Sequence, residues 1–167
     1  EAIYLEIPDN FSGGLYYNLP INELIQIIDY AIENGYSVAW DGDASKDHFY
    51  RQECYCVIPV DKKEEKHFDD EGVEILEPEK EKEITQEMRQ ETFDNFFTTD
   101  DHLMHIVGSA KNQIDSKFYY VKNSWGTKDR KFEGYWYFSE PFVKLKTIAI
   151  MVHKDAVPQD LKAKLGL

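Results

Sequence analysis

Residues 101–126 read DHLMHIVGSAKNQIDSKFYYVKNSWG, and this stretch decides the fold of the chain. Residues 102–108 and 117–123 are short, rich in apolar or aromatic side chains and bounded by turn residues, which predicts two β-strands. Because a short connection links them, the two strands can pair as an antiparallel hairpin. That pairing places His102, at the start of one strand, near Asn123, at the end of the other.

The sequence on either side of this hairpin predicts further helices and strands. Apolar residues recur at helical spacing over residues 20–34, with Gly35 suited to the position just past the helix end. A second helix is expected over about residues 85–97, with five side chains turned inward: Ile84, Met88, Phe93, Phe96 and Phe97. Strands are also expected at residues 36–40, 53–60, 134–139 and 145–153. Two helices followed by a run of strands predict an α+β fold whose antiparallel sheet curls into a partial barrel.

Composition and charge limit the classes of function. The chain has 167 residues, of which 42% are hydrophobic, enough for one domain with a buried core. Its formal net charge of −13 disfavours electrostatic binding to nucleic acid or to an anionic membrane surface. The longest aliphatic run, residues 148–152, is far too short to span a bilayer. The chain begins at Glu1 without an initiator Met, so we expect that an amino-terminal part is missing.

Residues 61–91 carry much of the negative charge. This stretch has 13 acidic and 6 basic residues, a net charge of −7. A charge run of this kind indicates a solvated excursion with weak structure. Binding of a basic partner is the alternative.

The sequence offers no convincing metal site. In a calcium-binding EF-hand loop that began at residue 41, Lys46 would stand where Gly is needed and Gln52 where Glu is needed. His102 and His105 are three residues apart, so on a strand their rings point to opposite faces and do not share a metal. We therefore predict no metal.

Cys54 and Cys56 are the two cysteines of the chain. They lie in an extended run, near the far limit of disulfide reach, so a disulfide framework is excluded and buried, inert thiols are expected. A nucleophilic role for either thiol is the alternative. His48, His67 and His153 are assigned no role.

The predicted hairpin brings together part of a known catalytic arrangement. A histidine whose ring is held by an amide carbonyl is the base and its orienting group in a Cys-His-Asn site. Trp125 follows two residues after Asn123 and is suited to cover the His–Asn hydrogen bond and exclude water from it.

These segments resemble the His and Asn motifs of papain-like cysteine peptidases. Asp101-His102 precedes an apolar run to Gly108, and Asn123-Ser124-Trp125-Gly126 follows the second strand. The wider sequence is similar to the bleomycin hydrolase and aminopeptidase C branch in five further blocks, at residues 17–20, 35–40, 134–135, 139–140 and 154–158. The resemblance covers most of the chain and is weakest at residues 61–84.

The resemblance implies a papain-like right-hand domain, of α+β class, with an antiparallel partial β-barrel and two main helices. It implies that His102 is the general base and acid, that Asn123 orients it and that Trp125 shields their bond, with no cofactor. The nucleophilic Cys and the oxyanion-hole Gln of the family belong to an amino-terminal half. Residues 1–167 are therefore expected to be a single carboxy-terminal domain with a charged insertion at about residues 61–84.

The implied function is hydrolysis of peptide bonds by a cysteine-type peptidase, and we expect this chain alone to be inactive. The implied partners are a peptide substrate, the Cys-bearing half of the same protein and further copies in a homo-oligomer. A cytoplasmic location is usual in the family, with export if the missing part carries a signal. Residues 159–167 look short for the cleft-lying arm of bleomycin hydrolases, which argues against strict aminopeptidase behaviour. A non-catalytic papain-like module for binding or inhibition is the alternative function.

Overall fold

The structure is a computed structural model, and it describes residues 2–8, 10–45, 48–51, 53–60, 80–128 and 131–167. The helices in these ranges are α1 (Ile21–Glu33), α2 (Gln86–Asp94), α3 (Glu140–Lys146) and α4 (Gln159–Leu165), with a 3-10 turn (Lys154–Ala156) before α4. The strands are β1 (Ala2–Tyr4), β2 (Leu15–Tyr17), β3 (Val38–Gly42), β4 (Phe49–Tyr50), β5 (Tyr55–Cys56), β6 (His102–Lys111), β7 (Lys117–Lys122), β8 (Tyr135–Ser139) and β9 (Thr147–Met151). None of the helices in the described ranges has the length and apolar composition that a membrane span requires.

Seven of these strands form one sheet in the order β4-β5-β8-β7-β6-β3-β9. All neighbours pair antiparallel except β5 and β8, which are parallel. The sheet is open, because β4 and β9 are its two edges, while β1 and β2 form a separate ribbon. The predicted α+β class with a mainly antiparallel, unclosed sheet is therefore confirmed.

The predicted first helix is α1. Its buried side chains lie on one face and include Ile25, Ile28 and Ala31. The helix ends where Gly35 adopts a left-handed φ of 78° and the Tyr36 N–H donates to the Ala31 carbonyl. This face covers a sheet core whose largest fully buried side chains are Trp40, Trp136, Tyr119, Phe138 and Phe142.

The second predicted helix is shorter than expected. Thr85 caps α2 by accepting a hydrogen bond from the Met88 N–H, but the helix ends at Asp94. Phe96 then takes a left-handed φ of 62°. The prediction that Phe96 and Phe97 face inward is wrong, since their side chains are 81% and 73% exposed. The helical period no longer sets the direction of a side chain once the backbone has left the helix.

Other differences from the sequence prediction are also local. The strand predicted at residues 145–153 forms as β9, but it starts later than expected because residues 140–146 form α3, which Ser139 caps by accepting from the Phe142 N–H. Of the strand predicted at residues 53–60, only β5 and a bridge between Pro59 and Glu81 form. Gly108, expected to end a strand, instead follows a register shift within β6. Helix α4 and strands β1, β2 and β4 were not predicted.

The charged stretch begins and ends at neighbouring points. The Val60 N–H donates to the Lys80 carbonyl at 2.9 Å, and the Lys82 N–H donates to the Ile58 carbonyl at 2.9 Å. The predicted solvated excursion falls largely on residues 61–79, which lie outside the described residues.

Candidate active site

The hairpin of β6 and β7 places two polar side chains together at its open end. Pairing runs from Lys111 and Lys117 at the turn to His105 and Lys122, so both His102 and Asn123 lie beyond the last pair. The His102 Nε2 atom lies 2.9 Å from the Asn123 Oδ1 atom. The two residues predicted to meet are therefore in hydrogen-bond contact.

The hydrogen bonds of Asn123 determine which ring nitrogen of His102 carries the proton. Asn123 Oδ1 also accepts the Ser124 N–H at 2.7 Å, so the amide oxygen faces both groups. Because an amide oxygen only accepts, His102 Nε2 must donate, and Nδ1 keeps its lone pair in the neutral ring. Nδ1 has no hydrogen-bond partner among the residues that the structure describes. The arrangement leaves a basic nitrogen available on a half-buried imidazole.

Trp125 lies against the same imidazole. Its ring centroid is 4.8 Å from that of His102, with the planes tilted by 30°. Phe49 and Trp136 support the indole at 5.9 and 6.1 Å. Asn123 is only 3% exposed, so its side of the hydrogen bond is shielded from water. A hydrogen bond in such surroundings is stronger than the same bond in water.

A buried ion pair holds the segment that leads into His102. Lys146 Nζ lies 2.7 Å from Asp43 Oδ2 and also donates to the Phe97 carbonyl at 2.8 Å. The Thr99 N–H donates to the same Asp43 oxygen. Burial by itself would raise the pKa of Asp43, but hydrogen bonds from Lys146 and Ser45 outweigh it and lower that pKa.

Asp101, directly before His102, is tied to the loop after β3. Its Oδ1 atom accepts the Ala44 N–H at 2.8 Å. Burial raises the pKa of Asp101, and the nearby Asp43 carboxylate adds to this effect. Sequence reasoning missed both this contact and the Asp43–Lys146 pair, because neither residue spacing nor composition signals pairs so far apart in the chain.

The loop that carries Trp125 rests on Gly134, and a substitution there tests this support. Gly134 has a φ of 84°, and a Cβ added to it would lie 2.5 Å from the Gly126 carbonyl oxygen. We expect Gly134→Ala to lower the free energy of unfolding by about 2 kcal/mol or more, since strain and a backbone clash add. Acrylamide should also quench Trp125 fluorescence more strongly.

Gly35→Ala is the matched control, because Gly35 has a similar φ of 78° and its added Cβ meets nothing within 4 Å. Gly35→Ala therefore introduces the same backbone strain at positive φ but no steric clash. Chemical denaturation of both variants gives the comparison. Equal losses of stability would show that Gly134 does not support the loop through close backbone contact.

The two thiols lie in the core. Cys54 and Cys56 are both fully buried, as expected, and neither forms a disulfide. Burial, and then the neighbouring Cys54, raise the pKa of Cys56 well above its ordinary range. The Cys54 thiol donates to the Arg51 carbonyl at 3.8 Å. These surroundings favour the neutral thiol of Cys56, which is a poor nucleophile.

His105 and His153 are separate from this site. His105 lies on the exposed face of β6, opposite to His102 as predicted, and contacts Ser37 Oγ at 2.8 Å. His153 accepts the Asp155 N–H and stacks on Tyr36. His67 lies outside the described residues. Within the described part of the chain, no three His, Cys, Asp or Glu residues are grouped so that they could hold a metal ion.

Comparison with known proteins gives a family and a fold. The sequence model of the Peptidase C1-like family matches residues 1–166. No curated protein sequence matches the chain significantly. Among solved structures, PepW from Lactobacillus rhamnosis is similar with a TM-score of 0.62 and 19% identity, over 91% of this chain and 31% of that one. This likeness shows a shared fold, and the chain spans about a third of the length of PepW.

Bromelain from Ananas comosus, solved in complex with the inhibitor E64, is a more distant match. Its TM-score is 0.39 and its identity 13%, over 80% of this chain and 46% of that one. At this score we draw no conclusion about fold or function from the likeness.

Proposed function

The chain belongs to the Peptidase C1-like family, and from this premise we propose that it is the carboxy-terminal, His/Asn-bearing domain of a cysteine peptidase. Membership confirms the resemblance to papain-like peptidases on which the site residues were predicted. The observation that carries the proposal is the 2.9 Å contact between His102 Nε2 and Asn123 Oδ1, with Trp125 against the ring. In the proposal, residues 1–167 form one domain with a charged insertion at about residues 61–84.

The proposed reaction is hydrolysis of a peptide bond through an acyl-enzyme. His102 Nδ1 takes the proton of a Cys thiol, and the thiolate attacks the peptide carbonyl. The protonated His102 then gives its proton to the departing amine, and water attacks the acyl-enzyme with His102 as base. Asn123 holds the imidazole in the required tautomer throughout. The proposal includes no metal or organic cofactor in these steps.

The attacking thiol is proposed to come from an amino-terminal half of the same protein. Cys54 and Cys56 are both fully buried, and the pKa of Cys56 is raised, which disfavours either as the nucleophile. A chain that spans 31% of PepW is compatible with one domain of a larger enzyme.

Within the family, we place the protein in the bleomycin hydrolase and aminopeptidase C branch. The similar blocks on both sides of the β6–β7 hairpin support this placement. The proposal therefore includes a peptide substrate and assembly into a homo-oligomer. Strict aminopeptidase specificity is left out of the proposal. The reason is that the cleft-lying arm of bleomycin hydrolases would correspond to residues 159–167. In this structure α4, within those residues, packs on α1, where Lys164 Nζ binds Glu23 and Gln26 contacts Asp160.

The first experiment compares this 167-residue chain with the full-length protein. We expect the chain alone to hydrolyse neither aminoacyl nor peptidyl fluorogenic substrates, because a base without its nucleophile lacks the covalent route. The full-length protein should hydrolyse them and lose activity with iodoacetamide. A thiol reagent should modify Cys54 and Cys56 of the folded chain far more slowly than in denaturant.

Alkylator-sensitive hydrolysis by the chain alone would contradict the proposed division of the site and favour Cys54 or Cys56. A full-length protein that encodes no upstream Cys and cleaves no peptide would instead favour the non-catalytic binding or inhibitory module.

A further inference from the structure

Arg51 lies on the Trp125 indole beside the candidate catalytic histidine. Its guanidinium carbon is 5.0 Å from the centroid of the indole ring. The ring centroid of His102 is 4.8 Å from the same indole. The guanidinium carbon is therefore no more than about 10 Å from the imidazole centroid.

The position of Arg51 is set by an aromatic cluster. Arg51 directly follows β4, in which Phe49 is buried against Trp136 at 4.3 Å. Tyr50 stacks on Tyr55 at 4.7 Å across the strand pair. These contacts anchor β4 and β5, the strand pair on either side of Arg51, and limit how far its backbone can move. The cation–π contact with Trp125 orders its side chain.

The charge of Arg51 is available to a ligand. Its side chain is exposed, and no carboxylate lies within ion-pair distance of it in the described part of the chain. By contrast, Lys117, Lys144 and Lys146 all bind carboxylates. In a chain with 32 acidic and 19 basic residues, Arg51 keeps an exposed positive charge that none of the described carboxylates neutralises.

We propose that Arg51 determines specificity by binding a carboxylate on the leaving-group part of the substrate. The proposal rests on the proposed peptidase function. His102 must face the departing amine in order to protonate it, so groups next to His102 lie along the part of the peptide that leaves. Trp125 offers that part an apolar surface, and the Arg51 guanidinium offers a two-pronged donor that matches a carboxylate.

The distance limits where this carboxylate lies in the substrate. An extended peptide covers about 3.3–3.6 Å per residue, so Arg51 reaches the first or second residue after the cleaved bond. The carboxylate is either an acidic side chain there or the free carboxyl terminus of a short leaving peptide. Both sources have the same chemistry, and separate substrate series distinguish them.

The test uses the full-length enzyme and two series of internally quenched peptides. The first series has Asp, Asn or Lys directly after the cleaved bond and an amidated end. The second series keeps a neutral residue there and ends two residues after the cleaved bond, with a free or amidated carboxyl group. In at least one series, we expect kcat/KM to be about five- to tenfold higher for the carboxylate than for its amide counterpart.

Three variants give the contrast. Arg51→Gln should reduce the carboxylate-to-amide ratio of kcat/KM to about one, and Arg51→Lys should keep part of it because the charge remains. Lys111→Gln is the matched control, since Lys111 is an exposed cation at the far end of β6 and pairs with Asp115. It should keep the full ratio. The preference in the wild type should also weaken as salt is raised.

The outcomes separate the two proposals. If the full-length protein cleaves no peptide of either series, the proposed function is wrong and the role of Arg51 is wrong with it. If it cleaves peptides with a ratio near one, or if Arg51→Gln and Lys111→Gln give the same ratio as the wild type, only the role of Arg51 is wrong. Circular dichroism verifies that each variant is folded, and Arg51→Lys still tests the proposal if Arg51→Gln is not.

Discussion

Replacement of His102 by alanine in the full-length protein is expected to lower kcat/KM for peptide hydrolysis by about a thousandfold or more. One side chain is proposed to activate the thiol and to protonate the leaving amine, so both functions fail together. The His102 Nε2 atom donates to Asn123, which leaves the Nδ1 lone pair for both steps. Steady-state kinetics with a fluorogenic peptide measures the loss, and circular dichroism verifies folding.

Two further substitutions make the ordering of effects the test. Asn123→Ala should lower kcat/KM on the order of 10- to 100-fold, because the imidazole remains but is no longer held in one orientation. His105→Ala should stay within a few-fold of the wild type, since His105 lies on the opposite face of β6 and contacts Ser37. A loss at His105 as large as that at His102, in folded variants, would mean that the wrong histidine was assigned.

Breaking the buried ion pair should have the largest effect on stability. In Lys146→Met the Asp43 carboxylate would remain buried without its cation, and we expect the free energy of unfolding to fall by about 3–5 kcal/mol. That is a large part of the roughly 5–15 kcal/mol that stabilises a typical domain. The side chains of Lys146 and Asp43 are 6% and 2% exposed, so solvent screens this pair little.

Chemical denaturation of the single and double variants measures this effect. Asp43→Asn combined with Lys146→Met should recover part of the loss, because no charge is then left unpaired. The pKa of Asp43 is lowered in the folded chain, so the stability that this carboxylate contributes is present near neutral pH and is lost as the pH falls below about 4. The difference between wild type and Lys146→Met should shrink over that range. A loss below about 1 kcal/mol at neutral pH would mean that the pair does not hold this part of the core.

The sequence predicted the candidate site because its parts are close in the chain. A hairpin of two strands with a short connection restricts the possible pairings, so alternation along residues 102–108 and 117–123 was enough to bring His102 to Asn123. The same alternation separated His105 from His102. In these cases, local spacing determines which face a side chain occupies.

The features that sequence reasoning missed depend on distant contacts or on backbone turns. Lys146 and Asp43 are 103 residues apart, and nothing near either residue marks it as half of a buried pair. Phe96 continues the helical spacing of α2 but follows a turn that the spacing does not reveal. Nothing near Arg51 in the sequence marks it, because its proposed role depends on Trp125, which the chain brings next to it only in the folded sheet.

The place of β3 in the sheet has a consequence for synthesis of the chain. Its neighbours in the sheet are β6 and β9. Both come later in the chain, and residues 43–101 separate β3 from the nearer of them, β6. At about 5–20 residues per second, a ribosome takes on the order of several seconds to supply the first of them. During that time β3 has neither of its sheet partners, and its side chains Val38 and Trp40, which are fully buried in the folded protein, are not yet covered by them.

The sequence made during that interval includes residues 61–91, with their net charge of −7. A strongly negative segment repels copies of itself on neighbouring ribosomes, which opposes aggregation of nascent chains while β3 is unpaired. The order of strands thus leaves β3 unpaired while the ribosome makes a segment whose charge disfavours self-association.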